Sequence, residues 1–448
     1  MRRAMPLASV LAPNDLSARS HVGIPRGLGE MKTVHDELLR DGARAIGPGS
    51  SPPPVGGPDR SKIVHVVTRY LRGGSERRVA DMVRSLPEVE HHLVVGGGSD
   101  AELAARDIDP ASLTVLSSLV RRPDPLRDAV ALRRLVRLIR SGGYDLVVTH
   151  QSKAGVLGRT AARVCGAPAV HSLSMANFGH GYPRWQSALF RTVESRLARS
   201  TAAYAVVGTD LRRRYAEIGV PAEKLHIVRS GVPLPASYGP RPSRGEVCWA
   251  LGLPDDRPLI LYLGSLEPRK NVLDLPDLLG RLVSSTSSPR PYLVVAGDGP
   301  LSDPLQQALS AAGLSDDARL LGFVPEPLPL VRIADAMVLL SSAEGVPQVL
   351  VQAAASGTPF VACAVDGVNE LIDLGAGGIG VPPGDLEAAA SATLSFLGDA
   401  RPPRPGYMDL SSWSTGTITE DYRRLIGHVL ASEPAGAVLP ELAPSYER

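Results

Sequence analysis

The chain has 448 residues, of which 44% are hydrophobic and only 4% aromatic, and its formal net charge is +2. This length predicts two or three domains with cores of Leu, Val and Ala, and the near-neutral charge argues against a protein that binds nucleic acid with its whole surface. The three cysteines, Cys165, Cys248 and Cys363, are far apart and form no Cys-x-x-Cys motif, so neither a disulfide framework nor a zinc site is indicated.

The chain begins with a stretch rich in proline and glycine. Residues 1–61 include the sequence GPGSSPPPVGGPD, whose residue types bury too little apolar surface to order themselves, so we predict a mostly disordered extension. No convincing cleavage site follows the short apolar patch between Pro6 and Pro13, and no apolar run approaches the roughly 20 residues of a membrane-spanning helix. We therefore expect a cytoplasmic protein, with association at the inner face of the membrane left open.

Apolar, β-branched runs alternate with helical patterns from Lys62 onward. In residues 62–232 these runs are KIVHVVTRY, HHLVV, SLTVL, YDLVVTH, APAVHS and AAYAVVG. Such alternation is typical of βαβ units, which form a parallel sheet covered by helices on both faces. We predict a Rossmann-like domain here, followed by a link at residues 233–257, which are rich in Pro, Gly and Ser.

A second alternation follows in residues 258–405, with the runs RPLILYLGS, PYLVVAGDG, ARLLGF, ADAMVLLSS, TPFVACA and GGIGV. It predicts a second Rossmann-like domain. Because ligands of open α/β sheets bind at the carboxyl ends of the strands, two such domains facing each other would enclose a cleft. For residues 406–431 we predict a helix that returns to the first domain, and for residues 432–448 a tail.

The segment SSAEGVPQVLVQAAASGTPFVACAVDGVNE, residues 341–370, is the most informative part of the second domain. If a helix runs from about Pro347 to Ser356, Glu344 precedes its first turn and Gln352 lies one to two turns inside. The free N–H groups and the positive dipole end of such a helix attract anions. The segment therefore predicts a site for a ligand with phosphates and hydroxyls.

Several motifs, in this order and spacing, resemble glycosyltransferase family 4. LYLGSLEPRKNV, VVAGDGPL, LLGFV and EGVPQVLVQAAASGTPFVACAVDGVNELI resemble its donor domain, and HVVTRYLRGGSE and VVTHQSKAGVLGRTAARVCGAPAVHSLS are similar to its acceptor-side motifs. The resemblance extends from about Lys62 to Arg424. It implies an α/β GT-B fold, with two Rossmann-like domains across a cleft, and a retaining enzyme that uses a nucleotide sugar without a metal or another cofactor.

The same resemblance implies roles for residues of the second domain. Lys270 matches the family's phosphate-binding lysine, and Glu344 matches the first glutamate of its Glu-x7-Glu motif, which holds the hydroxyls of the donor sugar. Gln352 stands at the second position, where the family's glutamate binds the ribose. An amide oxygen still accepts a hydrogen bond there, but without the strength that a carboxylate charge adds.

The chain also departs from the family after the first strand of this domain. Ser265 follows Gly264 where many members carry an arginine, so one cation is missing. Arg269, next to Lys270, is our candidate replacement, because a guanidinium binds phosphate oxygens in a bidentate manner. We also count Val346 and Pro347, in the loop at the helix mouth, as donor-binding residues.

On the acceptor side, His171 matches the histidine that contacts the donor sugar in the catalytic centre of the family. The alternative is a hydrogen-bonded imidazole in the core, which is the more common place for a histidine in a strand. Gly73 and Gly74 would let the backbone approach a ligand at a helix N-terminus. His150 and Lys153 are further candidates for acceptor contacts.

We therefore expect a hexosyltransferase that uses UDP-GlcNAc or UDP-glucose. Its partners would be the nucleotide sugar and a hydroxyl acceptor, either a glycan, a lipid-linked sugar or a small natural product such as an aminocyclitol. A nucleotide-sugar epimerase of GT-B fold and a non-catalytic sugar-nucleotide-binding protein are the alternatives. The basic stretch LVRRPDPLRDAVALRRLVRLIRSGG indicates either peripheral contact with anionic headgroups or an ordinary helix with its arginines in water.

Overall fold

The computed structural model describes residues 61–71, 73–107, 113–179, 182–232, 242–286, 289–397 and 408–431. The predicted N-terminal extension, apart from Ser61, and the predicted tail lie outside the described residues. None of the helices in the described ranges is both long and apolar enough to cross a bilayer.

The first domain is built on a seven-stranded parallel sheet. Its strands are β1 (Lys62–Val67), β2 (Glu90–Gly96), β3 (Leu113–Leu116), β4 (Leu146–His150), β5 (Ala169–Leu173), β6 (Ala203–Val206) and β7 (Leu225–Ile227). They lie in the order β3-β2-β1-β4-β5-β6-β7, and every neighbouring pair is parallel. Val, Ile and Leu dominate the central strands because both faces of this sheet are covered.

Helices cover both faces of this sheet. They are α1 (Gly74–Ser85), α2 (Ala101–Asp107), α3 (Pro125–Gly142), α4 (Ser152–Cys165), α5 (Arg184–Ala198) and α6 (Thr209–Glu217). Val64 and Val66 of β1 pack with α3 and α4, whereas Ile63 packs with Met82 of α1. Successive strand residues point to opposite faces, so α1 lies on the face opposite to α3 and α4.

A helix from the end of the chain completes the core under α1. This helix, α14 (Thr415–Ala431), contributes Ile418, Tyr422, Leu425 and Ile426 to the same cluster as Ile63 of β1. The guanidinium of Arg78 lies 5.5 Å from the centre of the Tyr422 ring. The helix α14, which follows the second domain in the sequence, is therefore part of the first domain.

The second domain has a six-stranded parallel sheet in the order β10-β9-β8-β11-β12-β13. Its strands are β8 (Leu259–Leu263), β9 (Tyr292–Ala296), β10 (Ala318–Gly322), β11 (Ala336–Leu339), β12 (Phe360–Cys363) and β13 (Gly378–Val381). Its helices are α7 (Arg244–Leu251), α8 (Leu275–Ser285), α9 (Ser302–Ala311), α10 (Leu328–Ile333), α11 (Gln348–Ser356), α12 (Val368–Asp373) and α13 (Leu386–Leu397). The predicted α/β fold of two Rossmann-like domains is thus confirmed.

Residues 233–257, which the sequence predicts as a link, include a helix of the second domain. The second half of this segment contains α7, whose Val247, Cys248 and Leu251 belong to the core of the second domain. Ser243 starts this helix with a capping box, in which its side chain and that of Glu246 bond each other's backbone N–H groups. The second domain therefore begins before β8, at this helix.

Candidate functional site

Two cations and one carboxylate meet at the carboxyl edge of the second sheet. The Nζ atom of Lys270 lies 2.5 Å from Oε1 of Glu344, and Nη1 of Arg269 lies 3.2 Å from Oε2 of the same carboxylate. Arg269 also donates a hydrogen bond of 2.7 Å to the carbonyl of Ala343. The three residues to which the sequence assigned the donor's phosphates and sugar are thus brought together.

The order of the strands in the sheet explains why these three side chains lie together. β8 and β11 are neighbours, so the loops that follow them leave from the same edge. Asn271 adopts a left-handed conformation with φ of 50° and donates a 3.0 Å hydrogen bond to the carbonyl of Leu340. The N–H of Ser342 donates to the carbonyl of Arg269 at 2.9 Å. These bonds fix the loop that carries both cations against the loop that carries Glu344.

Glu344 is only 9% exposed and stays ionised because of its partners. Burial alone would raise the pKa of its carboxyl group, but the charges of Lys270 and Arg269, with hydrogen bonds, hold that pKa below its usual range. The cluster therefore combines two positive charges, which attract phosphates, with a carboxylate that accepts hydrogen bonds from hydroxyls.

The other donor-side residues surround this cluster. Gly264 follows β8, and the hydroxyl of Tyr262 donates a 2.8 Å bond to the carbonyl of Ser265, whose side chain is exposed. A Cβ atom at Gly297 would lie 1.8 Å from the carbonyl oxygen of Gly264, so the loops after β8 and β9 pack backbone to backbone. Ser265 therefore lies exposed at the carboxyl edge of the sheet, in the loop that follows β8.

The loop at the mouth of α11 touches the first domain. Pro347 precedes α11, and a methyl group of Val346 lies 2.8 Å from the position of a Cβ atom at Gly208. Gln352 lies on the second turn of α11 and is half-buried. Val346 is therefore at the contact between the domains, while Gln352 is set back along the helix.

The two glycines of the first domain face this helix mouth. Gly73 precedes α1 and Gly74 begins it, and a Cβ atom at Gly74 would lie 3.5 Å from the side-chain amide carbon of Gln348. Gln348 is the first residue of α11. The N-termini of α1 and α11 thus meet across the cleft, so both helix dipoles present their positive ends to it.

Glu76 and Gln151 lie beside these glycines; both belong to the acceptor-side motifs, but the sequence assigned neither of them a role. Gln151 has a φ of 65°, which is rare for a residue other than glycine. Its amide nitrogen donates 3.0 Å bonds to the carbonyl of Arg69 and to Oε1 of Glu76. Burial raises the pKa of the Glu76 carboxyl group. The strained backbone of Gln151, directly after β4, marks this pair as a candidate part of the site, but it is visible only in the structure.

The structure corrects the predicted position of His171. The residue lies in the middle of β5 rather than at its end, and it is 0% exposed. Its Nδ1 atom lies 2.8 Å from the hydroxyl oxygen of Thr149, and a Cβ atom at Gly155 would come within 2.4 Å of its ring. Burial lowers the pKa of its imidazole well below the usual value. The ring thus fills the space above a glycine of α4 and lies inside the domain, not in the cleft.

His150 and Lys153 are also committed to contacts within the first domain. His150 ends β4, but it is 3% exposed and its Nε2 atom lies 3.2 Å from Nδ1 of His65, which in turn bonds His91. Burial lowers the pKa of His150 to about 3. Lys153 forms an ion pair of 2.6 Å with Asp128. Both side chains therefore make contacts within the first domain.

Polar contacts join the domains beside the cluster. Arg214 of α6 binds both carboxylate oxygens of Asp366, at 2.7 and 2.6 Å. The backbone N–H of Gly367 donates to Asp210 at 3.0 Å, and the backbone N–H of Thr209 donates to Glu370 at 2.8 Å. The first turn of α6 is thus bonded both to the loop between β12 and α12 and to α12 itself. No local sequence pattern indicates these pairs, because their members are more than 150 residues apart.

A cavity of about 240 Å³ opens between the domains at these contacts. Burial raises the pKa of Tyr182 in its wall, and the charges of Arg269 and Arg121 oppose that shift. Residues of both domains line it: Ala176, Phe178, Tyr182, Asp210, Arg213, Arg214, Ser342, Ala343, Glu344, Ala364, Val365, Asp366 and Asn369. Among the described residues, no three His, Cys, Asp or Glu side chains are grouped as metal ligands would be.

Two family models match the chain, one on each domain. Residues 73–231 match the model described as "Glycosyl transferase 4-like domain", and residues 244–405 match "Glycosyl transferases group 1". The second match begins at the first residue of α7, which agrees with the start of the second domain in the structure.

Characterised relatives share between a quarter and a third of their residues with this chain. It is 25% identical over 342 residues to the UDP-Gal:alpha-D-GlcNAc-diphosphoundecaprenol alpha-1,3-galactosyltransferase of Escherichia coli, covering 75% of this chain and 88% of the relative. It is 29% identical to the 2-deoxystreptamine N-acetyl-D-glucosaminyltransferase of Streptomyces fradiae, covering 61% of this chain and 67% of that protein.

Solved structures with low sequence identity share the fold. HepE of Anabaena, in complex with UDP and glucose, superposes with a TM-score of 0.66 at 20% identity, covering 82% of this chain and 99% of HepE. The UDP-GlcNAc 2-epimerase of Methanocaldococcus jannaschii superposes with a TM-score of 0.55 at 12% identity, covering 82% of this chain and 99% of the epimerase.

Proposed function

Since the chain belongs to the glycosyltransferases of GT-B fold, we propose that it transfers a hexose or N-acetylhexosamine from a UDP-sugar to a hydroxyl group with retention of configuration. The observation that carries this proposal is the cluster of Lys270, Arg269 and Glu344 in front of α11. It offers cations to a diphosphate and a carboxylate to sugar hydroxyls at the point where the two domains meet.

The cations act on the leaving group. As the bond between the anomeric carbon and the diphosphate breaks, negative charge grows on the phosphate oxygens, and positive charges placed there stabilise the transition state more than the ground state. Lys270 supplies one charge and Arg269 the other, in place of the arginine that Ser265 replaces. The N-termini of α1 and α11 add their dipoles, so the site needs no metal ion in this proposal.

The carboxylate of Glu344 orients the donor sugar. Acceptor oxygen and leaving phosphate then occupy the same face of the sugar, the new C–O bond forms as the old one breaks, and the acceptor proton passes to the departing phosphate oxygen. The protein contributes positioning and electrostatic stabilisation. His171 has no part in this scheme, because its imidazole is enclosed in the first domain.

The acceptor enters from the first domain in this proposal. The cavity beside Glu344 opens toward Tyr182 and the start of α6, and its walls carry hydroxyl, guanidinium and carboxylate groups that suit a polyol. The relatives named above act on a lipid-linked sugar and on an aminocyclitol, and both are candidate acceptor classes for this chain.

Release of nucleotide from a panel of UDP-sugars, with and without hydroxyl acceptors and with a metal chelator present, tests the proposal. We expect acceptor-dependent release of UDP that Glu344→Ala abolishes. Glu387→Ala is the matched control, since Glu387 is an exposed glutamate on α13, and it should retain full activity. Loss of activity with the chelator would contradict the metal-free mechanism.

The product separates this proposal from its alternatives. An epimerase would interconvert sugars without an acceptor, and a binding protein would retain the donor unchanged. Either result would overturn the proposal.

A further inference from the structure

Two helices of the first domain carry large apolar side chains that are exposed to solvent. Leu126 is 82% exposed and Val130 40% exposed on α3, while Trp185 is 71% exposed and Leu189 55% exposed on α5. In each helix these are the second residue and the residue four further on, so each pair lies on one helical face. Exposed apolar groups that recur in this way need a reason beyond chance.

The two pairs belong to one side of the domain. The helix α4 contacts both neighbours, because its Lys153 pairs with Asp128 of α3 and its Arg159 pairs with Glu194 of α5. α3 follows β3 and α5 follows β5, so both helices begin at the carboxyl edge of the sheet. This surface, formed by residues 121–140 and 184–199 and called here the α3–α5 surface, therefore adjoins the cleft.

Positive charge is concentrated on the same surface. All seven arginines of residues 121–140 are exposed, and so are Arg184, Arg191, Arg196 and Arg199. The three acidic residues in these ranges are not exposed, and each is already bound: Asp124 accepts from the N–H of Arg127, Asp128 pairs with Lys153, and Glu194 pairs with Arg159. A chain with a net charge of only +2 thus presents one strongly cationic face.

We propose that the α3–α5 surface docks the first domain on an anionic phospholipid membrane, with the entrance of the cleft at the lipid surface. Arginines complement the headgroup charge, and Trp and Leu enter the interfacial region, where an aromatic ring is especially stable. The arginines would also attract nucleic acid, but nucleic acid has no apolar region into which four large apolar side chains could insert. The inference does not depend on the proposed donor chemistry.

Sedimentation of the full chain with vesicles tests this docking. We expect binding to vesicles of phosphatidylcholine mixed with phosphatidylglycerol, little binding to phosphatidylcholine alone, and weaker binding as salt rises. Replacing Arg133, Arg134 and Arg137 with Ser should lower the partition coefficient about 100-fold. The matched control, Arg84→Ser with Arg423→Ser, removes one exposed and one half-buried arginine, of α1 and α14, on the opposite face and should change it little.

Fluorescence separates insertion from simple charge attraction. Of the three tryptophans, Trp413 is 2% exposed, so in a Trp249→Phe background Trp185 is the tryptophan that water and lipid reach. We expect its emission to shift to the blue with anionic vesicles, and Trp185→Ser with Leu189→Ser to reduce binding while UDP binding stays unchanged. Equal binding to neutral vesicles, no blue shift, or binding to duplex DNA that competes with the vesicles would overturn the proposal.

Discussion

The contact between Lys270 and Glu344 sets the charge state of the site before a ligand arrives. The Nζ atom of Lys270 is 2.5 Å from the carboxylate of Glu344, and Arg269 shares that carboxylate. In our proposal, the positive charge available to a diphosphate is thus partly neutralised by Glu344, the carboxylate assigned to the donor sugar. If the proposal is right, a bound donor separates these charges: its phosphates contact Lys270 and Arg269, and its sugar contacts Glu344.

We therefore predict that Glu344→Gln binds UDP more tightly than the natural protein. The change removes one negative charge beside Lys270 and Arg269, and we expect the Kd of UDP to fall about fivefold, on the order of 1 kcal/mol for a partly screened pair. Titration calorimetry with UDP measures this, and sugar transfer should be lost in the same variant. Weaker binding of UDP would mean that Glu344 assists the phosphates instead of competing for their cations.

The individual residues show where sequence reasoning succeeds and where it does not. The proximity of Lys270 and Glu344 could be expected, because each follows a strand of one parallel sheet and strand ends meet at one edge. His171 was not, because the pattern AVHSLS has no break that marks the end of β5. The position of its ring depends on Gly155, which leaves space above α4, and on Thr149, which bonds it.

At the scale of elements, a buried ion pair joins α4 to α5. The guanidinium of Arg159 binds both oxygens of Glu194, at 2.9 and 2.7 Å, and donates a 3.0 Å bond to the hydroxyl of Tyr204. Both side chains of the pair are 0% exposed. The pair therefore fixes α5, and with it the α3–α5 surface, against the rest of the first domain.

Breaking this pair should destabilise the first domain strongly. Arg159→Met leaves the carboxylate of Glu194 buried without a partner, and we expect it to lower the free energy of unfolding by about 3–5 kcal/mol. Arg163→Met, an exposed position on the same helix, should change it by less than about 0.5 kcal/mol. Urea unfolding followed by circular dichroism compares the two. Similar midpoints would show that water or a rearranged neighbour compensates Glu194.

Element boundaries depend on signals of very different strength. The strands of both sheets stand out as apolar runs, and their order along the chain suffices for two Rossmann-like domains. The helix α7 was not predicted, because it lies in a segment rich in proline and glycine. Its capping box, Ser243 followed by Glu246 three residues later, is the local signal that could have revealed it.

The whole molecule depends on a close contact between its domains. A Cβ atom at Gly345 would lie 1.8 Å from the carbonyl oxygen of Ser174, so the loop of Glu344 can meet the first domain only through a glycine. Arg214 and Asp366 join the same two domains across 152 positions of sequence. Contacts over such separations follow from how two folded domains fit, which local patterns do not encode.

We predict that Gly345→Ala keeps donor binding and loses transfer. The added methyl group must separate the domains by about 1 Å or more, and a misplacement of this size costs on the order of 100-fold in turnover. UDP binds to the second domain in our proposal, so its Kd by calorimetry should stay within about threefold. Gly245→Ala in α7, where a Cβ atom meets nothing within 4 Å, is the control and should be active. Normal turnover of Gly345→Ala would contradict the need for this contact.

The return of α14 to the first domain matters for how the chain is made. Ile418, Tyr422, Leu425 and Ile426 complete the core that Ile63 and Met82 begin, yet the ribosome produces the entire second domain in between. Synthesis proceeds at about 5–20 residues per second, so this apolar face of the first domain stays uncovered for on the order of ten seconds or more. A nascent chain stalled just before Thr415 should therefore recruit holding chaperones to its first domain, and release of the last helix should free them.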